Sequence, residues 1–333
     1  MAMIEVRHLT KEFGPVLAVD NITFQVEKGE IVGFLGLNGA GKTTTLRILT
    51  TYLPATSGVA KVAGYDVMTE SMAVRQNIGY LPENVPLYPE MRVEEYLDYR
   101  AKLKNVDRAI RRSRIDAALE QCRIREVRRR LVGTLSKGYR QRVGLADAMI
   151  HDPPILILDE PTAGLDPVQI RETLSLIKEL GESRTILLST HILSEVEQTC
   201  ERVIIIKSGR IGLDRKLADL EFAEQTVVVA EIQGPAEDVS AALRGLDGVA
   251  GVMFRPGGDG YFAYEIRTSA RADPRAAVFA AVAKSGWSLR RLDVRKRKLD
   301  DYFLNLVRTD DVDVVDRPRD TLPPPAASTA IKV

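Results

Sequence analysis

Short apolar runs alternate with amphipathic segments along the first two thirds of the chain. The runs at 4–9, 22–26, 31–35, 78–81, 155–158, 185–188 and 203–206 predict strands. The segments 44–52, 93–104, 108–121, 136–149, 168–180 and 193–200 predict helices. Continuous apolar strands between helices imply a parallel sheet covered on both faces. Residues 84–150 break the alternation, being nearly all helical, and predict an insert between two strand-bearing halves.

A second rhythm begins near residue 225. It predicts a strand at 226–232, a helix at 236–246 and a strand at 249–254, then a tight turn at Gly257-Gly258-Asp259-Gly260. A strand at 261–268 follows, with Phe262, Tyr264 and Ile266 on one face, then a helix at 273–284 and a strand at 288–294. The order β-α-β-β-α-β is that of a ferredoxin-like sandwich. An amphipathic helix at 299–307 places Leu299, Phe303 and Leu306 together. Residues 310–333 carry Pro318, Pro323, Pro324 and Pro325 among acidic and small residues, and read as a disordered tail. The expected domains are therefore 1–215 with 84–150 as a helical subdomain, a small α+β accessory domain at 222–308, and a tail at 309–333.

Composition narrows the partners. A length of 333 residues suits about two domains. The net charge of +1 gives no global drive toward nucleic acid or an anionic membrane, so no nucleic acid partner is expected. Cys122 and Cys200 imply no disulfide framework. The opening residues lack the apolar stretch of a signal peptide, and no run approaches the ~20 residues needed to span a bilayer. Work at a membrane would need another subunit.

The chemistry begins with Gly-Leu-Asn-Gly-Ala-Gly-Lys-Thr at 36–43, directly after the strand at 31–35. It matches the phosphate-binding pattern Gly-x-x-x-x-Gly-Lys-Ser/Thr. Gly36, Gly39 and Gly41 let backbone N–H groups close around phosphate oxygens, and Leu37, Asn38 and Ala40 complete that loop. Lys42 adds charge near the β- and γ-phosphates, and the Thr43 hydroxyl is a natural Mg²⁺ ligand. The helix start at Thr44 supplies further donors. A nucleoside triphosphate is the expected ligand.

Four further motifs surround this one. Leu135-Ser136-Lys137-Gly138-Tyr139 opens a helix that Ser136 can cap, a second anion-binding helix end. Such an end makes sense if it closes over nucleotide held by another copy. Ile155-Leu156-Ile157-Leu158-Asp159-Glu160 is an apolar strand ending in two carboxylates. Asp159 can hold Mg²⁺ through water, and Glu160 can act as general base toward the attacking water. Pro161-Thr162-Ala163-Gly164-Leu165-Asp166-Pro167 is a turn into a helix. Leu187-Leu188-Ser189-Thr190-His191 is a strand whose exit places His191 to meet a γ-phosphate.

This ordered set resembles the ATPase subunits of ABC transporters across residues 1–215, and looks most like the exporter-type subgroup that includes gliding-motility ATPases. The resemblance implies a P-loop ABC ATPase fold, a mixed-sheet core plus a helical insert. It implies ATP and Mg²⁺ sandwiched between two subunits, most simply a homodimer, with a heterodimer as the other case. Phe13 would stack on adenine, Glu83 would reach Mg²⁺ or the attacking water, and Ser136, Gly138 and Asp166 would complete the nucleotide site. ATP hydrolysis would drive export by a separately encoded transmembrane permease, received at residues 84–92 with Leu87 and Tyr88 lining the groove. The subunit would then sit on the cytoplasmic face of the membrane.

Two departures stand out. Glu83 replaces the family's usual glutamine, which adds negative charge beside a polyphosphate. Lys137 and Tyr139 replace the second and fourth residues of the usual signature Ser-Gly-Gly-Gln, and Lys137 is free to face the γ-phosphate or solvent. The arginine-rich stretch from Arg108 to Arg130 reads as a solvated face, with anionic lipid or an acidic permease loop as the alternative. The competing function is a soluble, non-transport ABC ATPase of DNA repair or translation. The gap 43–135 has no room for the long coiled coil of the repair type, and the translation type usually carries two ATPase domains.

Overall fold

The computed structural model describes residues 2–222, 227–268 and 273–295. The helix expected at 299–307 and the tail at 310–333 lie outside the described residues. The chain divides into two compact units between Arg215 and Lys216.

The first unit opens with β1 (Ala2–Phe13) and β2 (Val16–Glu27), an antiparallel pair of 12 residues each. Both outrun the expected 4–9 and 22–26, because backbone pairing continues past the apolar positions. Next come β3 (Ile31–Leu35), α1 (Lys42–Leu49), β4 (Ser57–Val62), β5 (Tyr65–Asp66), α2 (Ser71–Asn77) and β6 (Ile78–Leu81). The insert holds α3 (Val93–Leu103), α4 (Arg108–Gln121) and α5 (Lys137–Met149), with two short 3-10 turns between the last two. The unit continues with β7 (Ile155–Asp159), α6 (Pro167–Gly181), β8 (Thr185–Thr190), α7 (Leu193–Thr199), β9 (Arg202–Lys207) and β10 (Arg210–Lys216).

Two sheets result, in the orders β2-β1-β4-β5 and β10-β9-β3-β8-β7-β6. In the second, β9, β3, β8, β7 and β6 are all parallel. Every residue of β3, β7 and β8 is buried, which is why these strands read as unbroken apolar runs. Strand alternation splits β3 between two layers. Val32 and Phe34 join the core beneath β1, β2 and α1, where Phe24 and Phe34 have ring centroids 5.6 Å apart. Ile31 and Gly33 turn the other way, against α6 and α7. A Cβ on Gly33 would lie 2.7 Å from Cγ1 of Val196, so α7 packs directly on the central strand. Strands β9 and β10 meet at a Ser208-Gly209 turn in which both residues have positive φ.

The second unit holds α8 (Leu217–Phe222), β11 (Val227–Gln233), α9 (Ala236–Arg244), β12 (Val249–Pro256), β13 (Phe262–Thr268), α10 (Arg275–Lys284) and β14 (Ser288–Arg295). Its sheet has the order β12-β13-β11-β14, with every pair antiparallel. Val228, Ala230, Ile232, Tyr264 and Ile266 pack on Val239 and Leu243 of α9 and on Val278 and Val282 of α10. This is a ferredoxin-like α+β sandwich with its own core.

Candidate active site

The central position of β3 delivers the glycine loop to the carboxyl end of the parallel sheet. A Cβ on Gly36 would run into the carbonyl oxygen of Ile206. One on Gly41 would come within 2.6 Å of the Ala18 oxygen, and Gly41 has a φ of 107°, a conformation natural only to glycine. The loop is braced from behind by the Ser208-Gly209 turn: the Gly209 N–H donates to Ala40 O at 2.9 Å, and Gly209 O accepts from the Asp20 N–H at 2.8 Å. Leu37, Asn38 and Gly39 form its exposed tip, whereas Ala40 is buried and Thr44 half-buried.

Lys42 is buried at the start of α1. Its Nζ donates to the carbonyls of Gly36 at 2.7 Å and Leu37 at 3.2 Å, and lies 3.3 Å from Glu160 Oε1. Beside it, Thr43 Oγ1 donates to Asp159 Oδ1 at 3.3 Å. Burial at the end of β7 pushes the Asp159 carboxyl above its ordinary range, and the nearby charges of Glu160 and Glu83 push it the same way. Glu83 itself is exposed, just past the end of β6.

Glu160 leaves β7 with a φ of 49°, in the left-handed region unusual for its type. Its N–H donates to Ser189 O at 3.0 Å. Its Oε2 lies 2.8 Å from His191 Nδ1. An ionised carboxylate can only accept, so Nδ1 carries the proton. Glu160 Oε1 is buried and makes no hydrogen bond, despite the ammonium nearby.

The structure thus gathers Lys42, Thr43, Asp159, Glu160 and His191 in one place. Other expected site residues have partners elsewhere. Phe13, at the end of β1, is 46% exposed, with Lys11 Nζ 4.9 Å above its ring. Ser136 caps α5, its Oγ accepting from the Tyr139 N–H at 3.4 Å. Gly138 is buried against the Gln169 side chain. Asp166 caps α6, with Oδ1 accepting from the N–H groups of Val168 at 2.9 Å and Gln169 at 3.0 Å. The Lys137 ammonium lies against Gly164 of the Ala-Gly-Leu-Asp turn, a placement that neither sequence reading included. Tyr139 OH donates to Glu126 Oε1 at 2.8 Å.

Sequence reasoning missed Thr162, Thr190 and Glu195. The two hydroxyls donate to the two oxygens of Glu195, each at 2.6 Å. A glutamate in a short amphipathic helix reads as solvent-facing, so no signal pointed to it.

The family model described as ABC transporter matches residues 19–163, a span that includes Lys42, Thr43, Asp159 and Glu160. An uncharacterized ABC transporter ATP-binding protein of Bacillus subtilis, YxlF, is 38% identical over 68% of this chain and 75% of its own length. This chain belongs to the ABC transporter ATP-binding family. The ABC transporter ATP-binding protein NatA of the same organism is 42% identical over 63% of this chain and 87% of its own. Among solved structures, the dimeric ATP-binding cassette MJ0796 in a post-hydrolysis state with ADP and Pi superposes with a TM-score of 0.59 at 26% identity. That match covers 65% of this chain and 99% of the cassette.

The protein is an ATP-binding subunit of an ABC transporter and an ATPase. Its P-loop ABC ATPase fold brings the glycine loop, a buried ammonium and a carboxylate–histidine pair together from three adjacent strand ends. Among the described residues, no helix is long and apolar enough to cross a membrane.

Proposed function

We propose that this ABC ATPase is the motor of an exporter of the gliding-motility type, working as a homodimer beside a separately encoded permease on the cytoplasmic face of the membrane. The observation that carries the catalytic part is the buried Lys42–Glu160–His191 cluster beside Asp159 and Thr43. Backbone N–H groups of residues 36–44 and the Lys42 ammonium hold the phosphates, and Phe13 offers its ring to adenine. Glu160, oriented by His191, takes a proton from the attacking water. His191 also reaches the γ-phosphate.

The donor set suits Mg²⁺. The Thr43 hydroxyl and the Asp159 carboxylate are hard oxygen ligands, Glu83 stands close enough to raise Asp159, and a cation would relieve that crowding. When bound, Mg²⁺ offsets the negative charge of the phosphates.

Ser136, Gly138 and Asp166 sit on helix starts and have partners outside this cluster, which suits service to nucleotide on a second copy. The dimeric state of the MJ0796 cassette supports that arrangement. For the permease, Tyr88 is 41% exposed and stands edge-on to Tyr96 and Tyr99, with centroids 5.9 and 5.8 Å away. With half-buried Leu87 it makes an aromatic floor for a short amphipathic helix of the membrane subunit.

The test is recovery of Glu160→Gln protein from native membranes with Mg-ATP. A multi-span protein in the complex supports the exporter reading. Ribosomes, DNA or soluble proteins alone would move the chain to the non-transport branch.

A further inference from the structure

The ladder between β7 and β8 ends at the pair Asp159 and Ser189, followed by the single bond from the Glu160 N–H to Ser189 O. Past that point the sheet no longer holds the two strand exits together. Yet these exits carry Glu160 on one side and His191 on the other. A carboxylate from a third element spans the gap. Glu195, in the first turn of α7, is 2% exposed. Its Oε1 accepts from Thr162 Oγ1 and its Oε2 from Thr190 Oγ1, each at 2.6 Å, and both threonines are buried.

The hydrogen-bond bookkeeping is tight. Thr190 Oγ1 also accepts from the Ile192 N–H at 3.0 Å. Its own proton goes to Glu195, so the backbone on either side of His191 is tied to that carboxylate. Thr162 lies two residues beyond Glu160. The position of Glu195 is itself fixed, because Val196 packs directly on Gly33 of the central strand. The described hydrogen-bond partners of Glu195 are two neutral hydroxyls rather than a cation. A buried carboxylate with such partners is an expensive choice for stability alone.

We infer that Glu195 is a positioning residue. By clamping Thr162 to Thr190 it sets the 2.8 Å contact between Glu160 and His191. It rests on the proposed roles of those two residues, and the two ideas fail separately: undiminished turnover in Glu160→Gln would sink the roles, whatever Glu195 does.

The experiment measures ATP turnover, KM for ATP and melting temperature in full-length Glu195→Leu, Glu195→Gln, Thr162→Val and Thr190→Val. Leucine fills the space without charge but leaves the two buried threonine hydroxyls without their acceptor, so activity is read per folded protein. Misplacement of catalytic groups is expected to lower kcat by about 10- to 100-fold in the leucine and valine variants. KM of the folded protein should hold, and melting temperature should fall in the leucine and valine variants but hold in Glu195→Gln. Glutamine can accept from Thr190 and donate to Thr162, so it should retain most of kcat. A folded Glu195→Leu protein with wild-type kcat overturns the inference. So does a loss of activity in the leucine and both valine variants that merely follows loss of folded protein.

Discussion

Lys42 Nζ stands 3.3 Å from Glu160 Oε1, with both side chains almost fully buried. Each charge compensates the other where water cannot. Removing the cation by Lys42→Ala leaves a buried carboxylate without it, which is expected to destabilise the fold by about 3 kcal/mol. The same change should abolish ATP binding. Thermal melting and titration with a fluorescent nucleotide check both effects, and an unchanged melting temperature would count against the pairing.

Glu160→Gln removes the carboxylate proposed as the base but keeps the shape and the buried position. Turnover is expected to fall by about 10²- to 10⁴-fold, with ATP affinity retained. Phosphate release set beside nucleotide titration separates the two effects. Equal loss of binding and turnover would point to a structural role instead.

Asp159 trades stability for chemistry. Its folded carboxyl keeps a proton to higher pH than the unfolded reference of 3.8, because of burial first and neighbouring carboxylates second. The folded state therefore binds more protons in the window above 3.8, and stability falls as pH rises through it. At neutral pH the full penalty is present. Asp159→Asn should thus melt higher than wild type at pH 7 without nucleotide or Mg²⁺, with the gain fading toward pH 3.8, while Mg²⁺-dependent turnover collapses. A mutant that melts lower at pH 7 would refute this account.

His151 sets an acid limit. Burial lowers its pKa from 6.5 to about 4, and its Nε2 lies 2.9 Å from Ile78 O, an acceptor that calls for a proton on that nitrogen. The unfolded chain gains the second proton first, so stability falls as pH drops from 6.5 to about 4. His151→Gln should flatten urea midpoints across that window. An unaltered slope would assign the acid sensitivity elsewhere.

The sequence made the parallel sheet legible because β3, β7 and β8 are buried on both faces and carry unbroken apolar runs. It hid β4, β5 and β10. Ser57-Gly58-Val59-Ala60-Lys61-Val62 is largely exposed, and its pairing with β1 comes from a partner more than 45 residues away in sequence. The glycine loop, Asp159, Glu160 and His191 could be marked as candidates because each stands at the end of an apolar run that reads as a strand, and the structure brings those ends together. Glu195 was not legible, since only the packing of α7 on Gly33 brings it to the two threonines. Nor was the Lys137–Gly164 contact, which joins segments brought together by the fold alone.

The Ser208-Gly209 turn that props the glycine loop has a kinetic consequence. Ala40 and Asp20 are both bonded to Gly209, and Ile206 fills the space beside Gly36, so the loop's course is settled by its own protein neighbours. An arriving polyphosphate has little loop entropy to remove. Its capture should be governed by the frequency of encounter, and its release by the strength of the phosphate contacts.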